Sequence, residues 1–236
     1  MAGKIHRYDC YDLRKYHPED IKTFVDIGAN VGTTTIMARL LMPASKVVAF
    51  EPCRETYNAL TKNLEWLLRK DFLECHNIAL GDGSDLCFQG DGTSGLNKFL
   101  TLEERTVVWP GEYDYTTLSR PLVEIFDRYS VDTESPFIIK IDCEGGERFI
   151  LEQQECWPLL QKAVQINFEI HVGLGGTCDE WNTWFDMMSE THELREARWI
   201  DKGTQDRRYR YIPVDKITNS GEYELMNKKW IISHGY

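Results

Sequence analysis

The segment Phe24-Val25-Asp26-Ile27-Gly28-Ala29-Asn30-Val31-Gly32-Thr33 limits the possible folds of this chain more than any other. A short apolar run ends in a carboxylate, turns through Gly28 and Gly32, and enters helix-periodic sequence over residues 34–41. Glycine at both turn positions permits tight backbone turning and lets a ligand approach the main chain without a Cβ in the way. A second apolar run, Lys46-Val47-Val48-Ala49-Phe50, then delivers another carboxylate, Glu51, followed by Pro52. In a βαβ unit the two strand ends lie side by side, so Glu51 arrives where its two oxygens can hold a ribose diol.

The turn also discriminates between nucleoside cofactors. A dinucleotide fingerprint reads G-x-G-x-x-G and opens a helix N-terminus onto a pyrophosphate. Here Asn30 replaces the middle glycine, and Asp26 places negative charge beside the ligand. That charge suits a cation better than a diphosphate. S-adenosylmethionine carries an ammonium, a sulfonium and a ribose diol, and the turn predicts it as cofactor, held by Asp26, Gly28, Asn30, Gly32, Glu51 and Pro52. Two alternatives stand beside this reading. One is a nucleotide-fold oxidoreductase in which Glu51 holds the ribose of NAD, against which Asn30 argues. The other is a module that binds the cofactor without catalysis.

Further motifs resemble a known family. D-I-G-A-N-x-G-x-x-T at residues 26–35, V-x-A-F-E-P at 47–52 and K-x-D-x-E-G-x-E at 140–147 are similar to the signatures of FkbM-type methyltransferases. Asn77-Ile78-Ala79-Leu80-Gly81 matches the family's segment after the third strand, and Thr117-Leu118 matches its T-L-D element in part, with Ser119 where aspartate is usual. The resemblance runs over residues 23–171. It implies a Rossmann-like class I methyltransferase fold, α/β, with a mostly parallel seven-stranded sheet covered by helices on both faces. It also implies adenine held near Asn77 and Ala79, and O-methylation of a sugar or other hydroxylated metabolite.

The coarse pattern of alternating strands and helices agrees with a parallel sheet. Strands are expected at 23–28, 46–51, 72–78, 137–142 and 164–171. Two more, at 193–200 and 208–214, form a closing pair, and the tail at 229–233 is read as a further strand. Helical stripes are Tyr57, Leu60, Leu64 and Leu68; Leu122, Ile125, Phe126 and Tyr129; and Trp181, Trp184, Phe185 and Met188, the last capped by Thr177 or Asp179. At 236 residues the chain suits one domain. We expect an N-terminal extension at 1–22 and a methyltransferase domain at 23–236. Within it, 81–110 is a hairpin and loop insertion, and 172–236 holds the C-terminal helix and closing strands.

Bulk properties narrow the partners. Net charge is −11 with no basic stripe, which argues against nucleic acid and anionic membrane surfaces. The basic run Arg207-Arg208-Tyr209-Arg210 reads as a solvated turn. Seven cysteines without a C-x-x-C pair fit reduced thiols, and the absence of a leader pattern completes the expectation of a cytoplasmic protein. No His, Asp and Glu set shows metal-ligand spacing, although the acidic trio described next could hold a divalent cation.

Chemistry concentrates at Asp142, Glu144 and Glu147, three carboxylates around two glycines at the end of the fourth strand. Ligands in open α/β sheets bind outside such ends. Asp142 is the first candidate for the base that deprotonates an acceptor hydroxyl, and His171 the second, with Glu144 beside them. Glu147 has a competing role in complementing the dipole of a helix's first turn. On the fifth strand Gln165, Asn167, Glu169 and His171 share one face. Either the strand is internal and Lys140 neutralises Glu169 in a buried network, or it lies at an edge and is hydrated.

Overall fold

The computed structural model describes residues 11–67, 71–90, 98–101, 113–173, 176–200 and 208–235. Leu68, residues 91–97 and 102–110 of the expected insertion, and Arg207 of the basic run lie outside these residues. Eight strands form the main sheet: β1 Thr23–Ile27, β2 Lys46–Phe50, β3 Leu73–His76, β8 Phe137–Ile141, β9 Gln165–Ile170, β10 His192–Ile200, β11 Arg208–Pro213 and β12 Gly221–Asn227. Their order is β11-β10-β12-β9-β8-β1-β2-β3. The five from β9 to β3 are mutually parallel, whereas β12, β10 and β11 continue the sheet in antiparallel pairs.

The α/β architecture is therefore the expected one, with eight strands in place of seven. The strand beside β9 is β12, which the sequence reading passed over, and the closing pair β10 and β11 lies outside it. The tail expected as a strand is instead helix α7, Lys228–His234. Asn227 sets this helix, its side chain accepting from the N–H groups of Lys229 and Trp230.

Strand alternation divides the apolar core into two layers. Val25, Ile27, Val48, Phe50, Ile139, Ile141, Ile166 and Phe168 face one side, where α3 (Leu122–Arg128), α4 (Arg148–Glu152) and α6 (Cys178–Met188) pack. Phe24, Val47, Ala49 and Ile138 face the other, against α1 (Thr33–Leu41) and α2 (Arg54–Leu64). The remaining helix, α5, is the single turn Trp157–Leu160. A smaller sheet, ordered β4-β7-β5-β6, comprises β4 Ala79–Leu80, β5 Asp85–Gly90, β6 Lys98–Thr101 and β7 Tyr113–Arg120. Ser119, standing where the family has aspartate, is fully buried here. Its hydroxyl donates to Ser84 O (2.6 Å) and accepts from Gly83 N (3.1 Å), bracing the turn before β5.

β9 is internal, and its polar face is dry at the lower end because the N-terminal segment covers it. Tyr16 Oη donates to Gln165 Oε1 (2.5 Å), and Gln165 Nε2 donates to Tyr11 O and Asn167 Oδ1 (2.8 Å each). Lys15 Nζ reaches Glu224 Oε2 on β12 at 3.0 Å. Gln165, Asn167 and Glu224 are all completely buried beneath this strap, so each finds a partner inside the protein instead of water.

Candidate functional site

The turn after β1 is built by backbone conformations that few residues adopt. Gly28, Asn30 and Gly32 have φ of 78°, 51° and 91°, the left-handed region that glycine enters freely and asparagine more readily than most. Gly28 N and Ala29 N both donate to Phe50 O at 2.9 Å, tying the turn to the end of β2. Gly28 is also required by proximity, because a Cβ there would lie 1.7 Å from Asp142 O.

Glu51 is placed by the same turn. Its Oε2 accepts from Asn30 N (2.8 Å) and its Oε1 from Cys53 N (2.9 Å). Burial raises its pKa to about 7, despite the opposing pull of the Cys53 and Asn30 N–H groups. Each carboxylate oxygen has received one donor and retains a lone pair. Asn77 fixes the segment from behind, its side-chain nitrogen donating to Glu51 O (2.8 Å) and Pro52 O (2.9 Å). The Asn77 amide hydrogens are thus committed to the chain itself. Ala79 lies nearby in β4, buried and paired in register with Ser119.

Asp26 lies under the turn, held by side chains on either side of it. It is fully buried, accepts from Thr35 Oγ1 at 2.6 Å and lies 3.4 Å from Lys140 Nζ. Lys140 joins the two halves of the site. Its Nζ donates to Gly28 O (2.6 Å) and stands 3.3 Å from Asp142 Oδ2. Burial opposes its charge, but Asp142 and Asp26 outweigh that penalty and hold its pKa well above the ordinary value. The expected pairing of Lys140 with Glu169 is replaced by these two. Strand register explains the change: Asp26, Lys140, Asn167 and Glu224 form one row across β1, β8, β9 and β12. Glu169 stands one row further on, paired with Glu222.

The loop after β8 brings Asp142, Glu144 and His171 together, with one ligand atom from each within 4.8 Å of the others. His171 Nε2 is 3.3 Å from Glu144 Oε2 and 3.8 Å from Glu169 Oε1, while Nδ1 is 3.4 Å from Glu147 Oε1. The Glu147 carboxylate beside Nδ1 outweighs burial and, with Glu144 and Glu169, raises the His171 pKa to about 9. Burial raises Glu144 to about 7, His171 pulling the other way. Glu144 adopts φ 51°, so the backbone itself turns this side chain out of the strand direction.

Glu147 is fully buried and accepts from Cys143 N (2.6 Å) and Gly145 N (2.9 Å). Its carboxylate clamps its own loop and makes no side-chain cap on α4. Glu222 completes the group from β12. Burial first, then Glu169 and Asp142, raise its pKa to about 7. The sequence reading missed Glu222 because its strand was missed. The available signal was the alternation of Glu222 and Glu224 with Tyr223 and Leu225, two acids on one face and two apolar residues on the other.

Among the described residues no helix is long and apolar enough to cross a membrane. Residues 26–211 match the Methyltransferase FkbM domain family. A curated relative, Methyltransferase 1 of Beauveria bassiana (strain ARSEF 2860), is 25% identical over 170 residues, covering 66% of this chain and 67% of its own. Among solved structures, a methyltransferase FkbM from Methylobacillus flagellatus KT superposes with TM-score 0.50 at 12% identity, covering 87% of this chain. The match spans 44% of that longer chain. A precorrin-6y C5,15-methyltransferase from Geobacter metallireducens GS-15 has TM-score 0.46 at 11% identity, covering 93% of this chain and 87% of the other. The signature motifs, the parallel sheet with its reversed strand and the match over residues 26–211 lead to one assignment: the chain belongs to the FkbM methyltransferase family.

Proposed function

We propose that this protein transfers a methyl group from S-adenosylmethionine to a hydroxyl of a sugar or another small hydroxylated molecule. The observation that carries the cofactor is Glu51, a buried carboxylate at a strand end with an open lone pair on each oxygen beside a glycine turn. When bound, S-adenosylmethionine supplies a methyl carbon on a positively charged sulfur, which departs as a neutral thioether. Glu51 holds the ribose hydroxyls, the turn from Gly28 to Gly32 passes beside the amino-acid part, and the segment with Asn77 and Ala79 borders the adenine. Asp26 acts through Lys140 and Thr35, shaping the turn.

The acceptor oxygen docks among Asp142, Glu144 and His171. Asp142 would take its proton, as a general base does. Lys140 contacts Asp142 through Oδ2, so one of the two carboxylate oxygens remains to take the proton. His171, with a pKa near 9, already carries a proton at neutral pH and is the weaker candidate for a base. Calorimetry tests the cofactor: the protein should bind S-adenosylmethionine and its demethylated product more tightly than NAD, and the reverse order would refute the proposal. Incubating the loaded enzyme with pooled hydroxylated metabolites, with products read by mass, identifies the acceptor.

Cofactor affinity should depend on pH through Glu51. Its charged form accepts the ribose hydroxyls, and its pKa in the free protein is about 7. Above that value the carboxylate is ready; below it, binding must first expel a proton. Affinity should therefore fall as pH drops, approaching about tenfold per unit well below the pKa. Glu51→Gln should bind at least tenfold more weakly at alkaline pH, since hydrogen bonds to a charged group contribute about 1.5–3 kcal/mol. Its pH profile should be flat. A wild-type affinity that does not change across this range would exclude Glu51 from the ribose contact.

A further inference from the structure

We infer that Asp142, Glu144 and His171 form a binding site for one divalent transition ion of the Mn²⁺ or Zn²⁺ class. This extends the methyltransferase reading, on which its use in catalysis rests. The three donors come from different places in the chain: the end of β8, the left-handed turn after it, and the residue following β9. One ligand atom of each lies within 4.8 Å of the others. Neighbouring ligands of such an ion stand about 3 Å apart, so the three donors draw together as the ion binds. Two carboxylates with one imidazole favour a transition ion over Mg²⁺ or Ca²⁺, which prefer oxygen alone.

Two observations outside the donor set support the assignment. Glu147, fully buried and held by two backbone N–H groups, faces Nδ1 of His171 and leaves Nε2 towards Glu144. A carboxylate on the far nitrogen is how metal-ligating imidazoles are oriented. Beside the site, Glu169 and Glu222 face each other in register on β9 and β12, and Glu222 Oε2 is shielded from solvent without a hydrogen-bond partner. An ion on the donor set adds positive charge next to this carboxylate pair. An acceptor hydroxyl bound to that ion would become more acidic, and the free oxygen of Asp142 would then hold the ion in place of taking the proton directly.

Mn²⁺ titrated into chelator-treated full-length protein at mildly alkaline pH, with free ion followed by its paramagnetic resonance signal, tests the site without any acceptor. One ion should bind per chain. His171→Ala and Glu144→Gln should each weaken it more than tenfold, and Glu147→Gln by about ten- to a hundredfold. Binding of the demethylated cofactor should persist in the His171 and Glu144 variants, showing that they are folded. No saturable Mn²⁺ binding, or binding that survives both His171→Ala and Glu144→Gln, would overturn the inference. With cofactor binding intact, that result leaves the methyltransferase reading standing, whereas a wild-type protein that takes Mn²⁺ but no cofactor would defeat that reading alone.

Discussion

Asp142→Asn is expected to lower methyl transfer by about a hundredfold to ten-thousandfold, the usual loss for one acid–base group. The amide keeps the size of the carboxylate but loses its proton affinity and its charge towards Lys140, which stands 3.3 Å away. Cofactor affinity should change far less, because Glu51 is positioned by Asn30 N and Cys53 N and not by the Asp142 side chain. Methyl transfer and cofactor binding measured on the same variant separate the two roles. Should binding collapse together with turnover, Asp142 belongs to the cofactor site. Should turnover survive in full, the proton leaves by another route.

Gly28→Ala should be as damaging, by a different cause. The added Cβ would meet Asp142 O at 1.7 Å, and φ 78° is a conformation that costs an L-residue about 1–2 kcal/mol. The clash involves backbone on both sides, so no side-chain rotation relieves it. Either the turn or the loop carrying Asp142 must move, and a displacement of about 1 Å at a reacting centre can cost a hundredfold in rate. Cofactor binding should be lost, with a lowered unfolding temperature. A Gly28→Ala protein that binds the demethylated cofactor within a few-fold of wild type would show that the close approach is not needed.

The parts of the site that lie close in sequence were legible from it. Asp26 to Gly32 and Glu51 declare a βαβ turn because strand, glycine and carboxylate follow one another along the chain. The parts assembled by register were not. Lys140 was noticed but given Glu169 as partner, since the row that unites Asp26, Lys140 and Asn167 exists only once three strands are aligned. For the same reason a divalent cation was considered only for Asp142, Glu144 and Glu147: His171 joins Asp142 and Glu144 across the sheet. On β12, Glu222 and Glu224 break up the apolar run, and the strand went unassigned. In α7, Trp230, Ile231 and Ile232 look like a strand, and only the Asn227 cap marks a helix.

The N-terminal strap and β12 both pack on β9, one over its polar face and one along its edge. The family match covers residues 26–211, yet a fragment cut there loses the strand lying between β9 and β10. It also loses Tyr16, leaving Gln165 without the hydroxyl that lets it sit inside. Segments from both sides of the matched region therefore close over one polar face of β9.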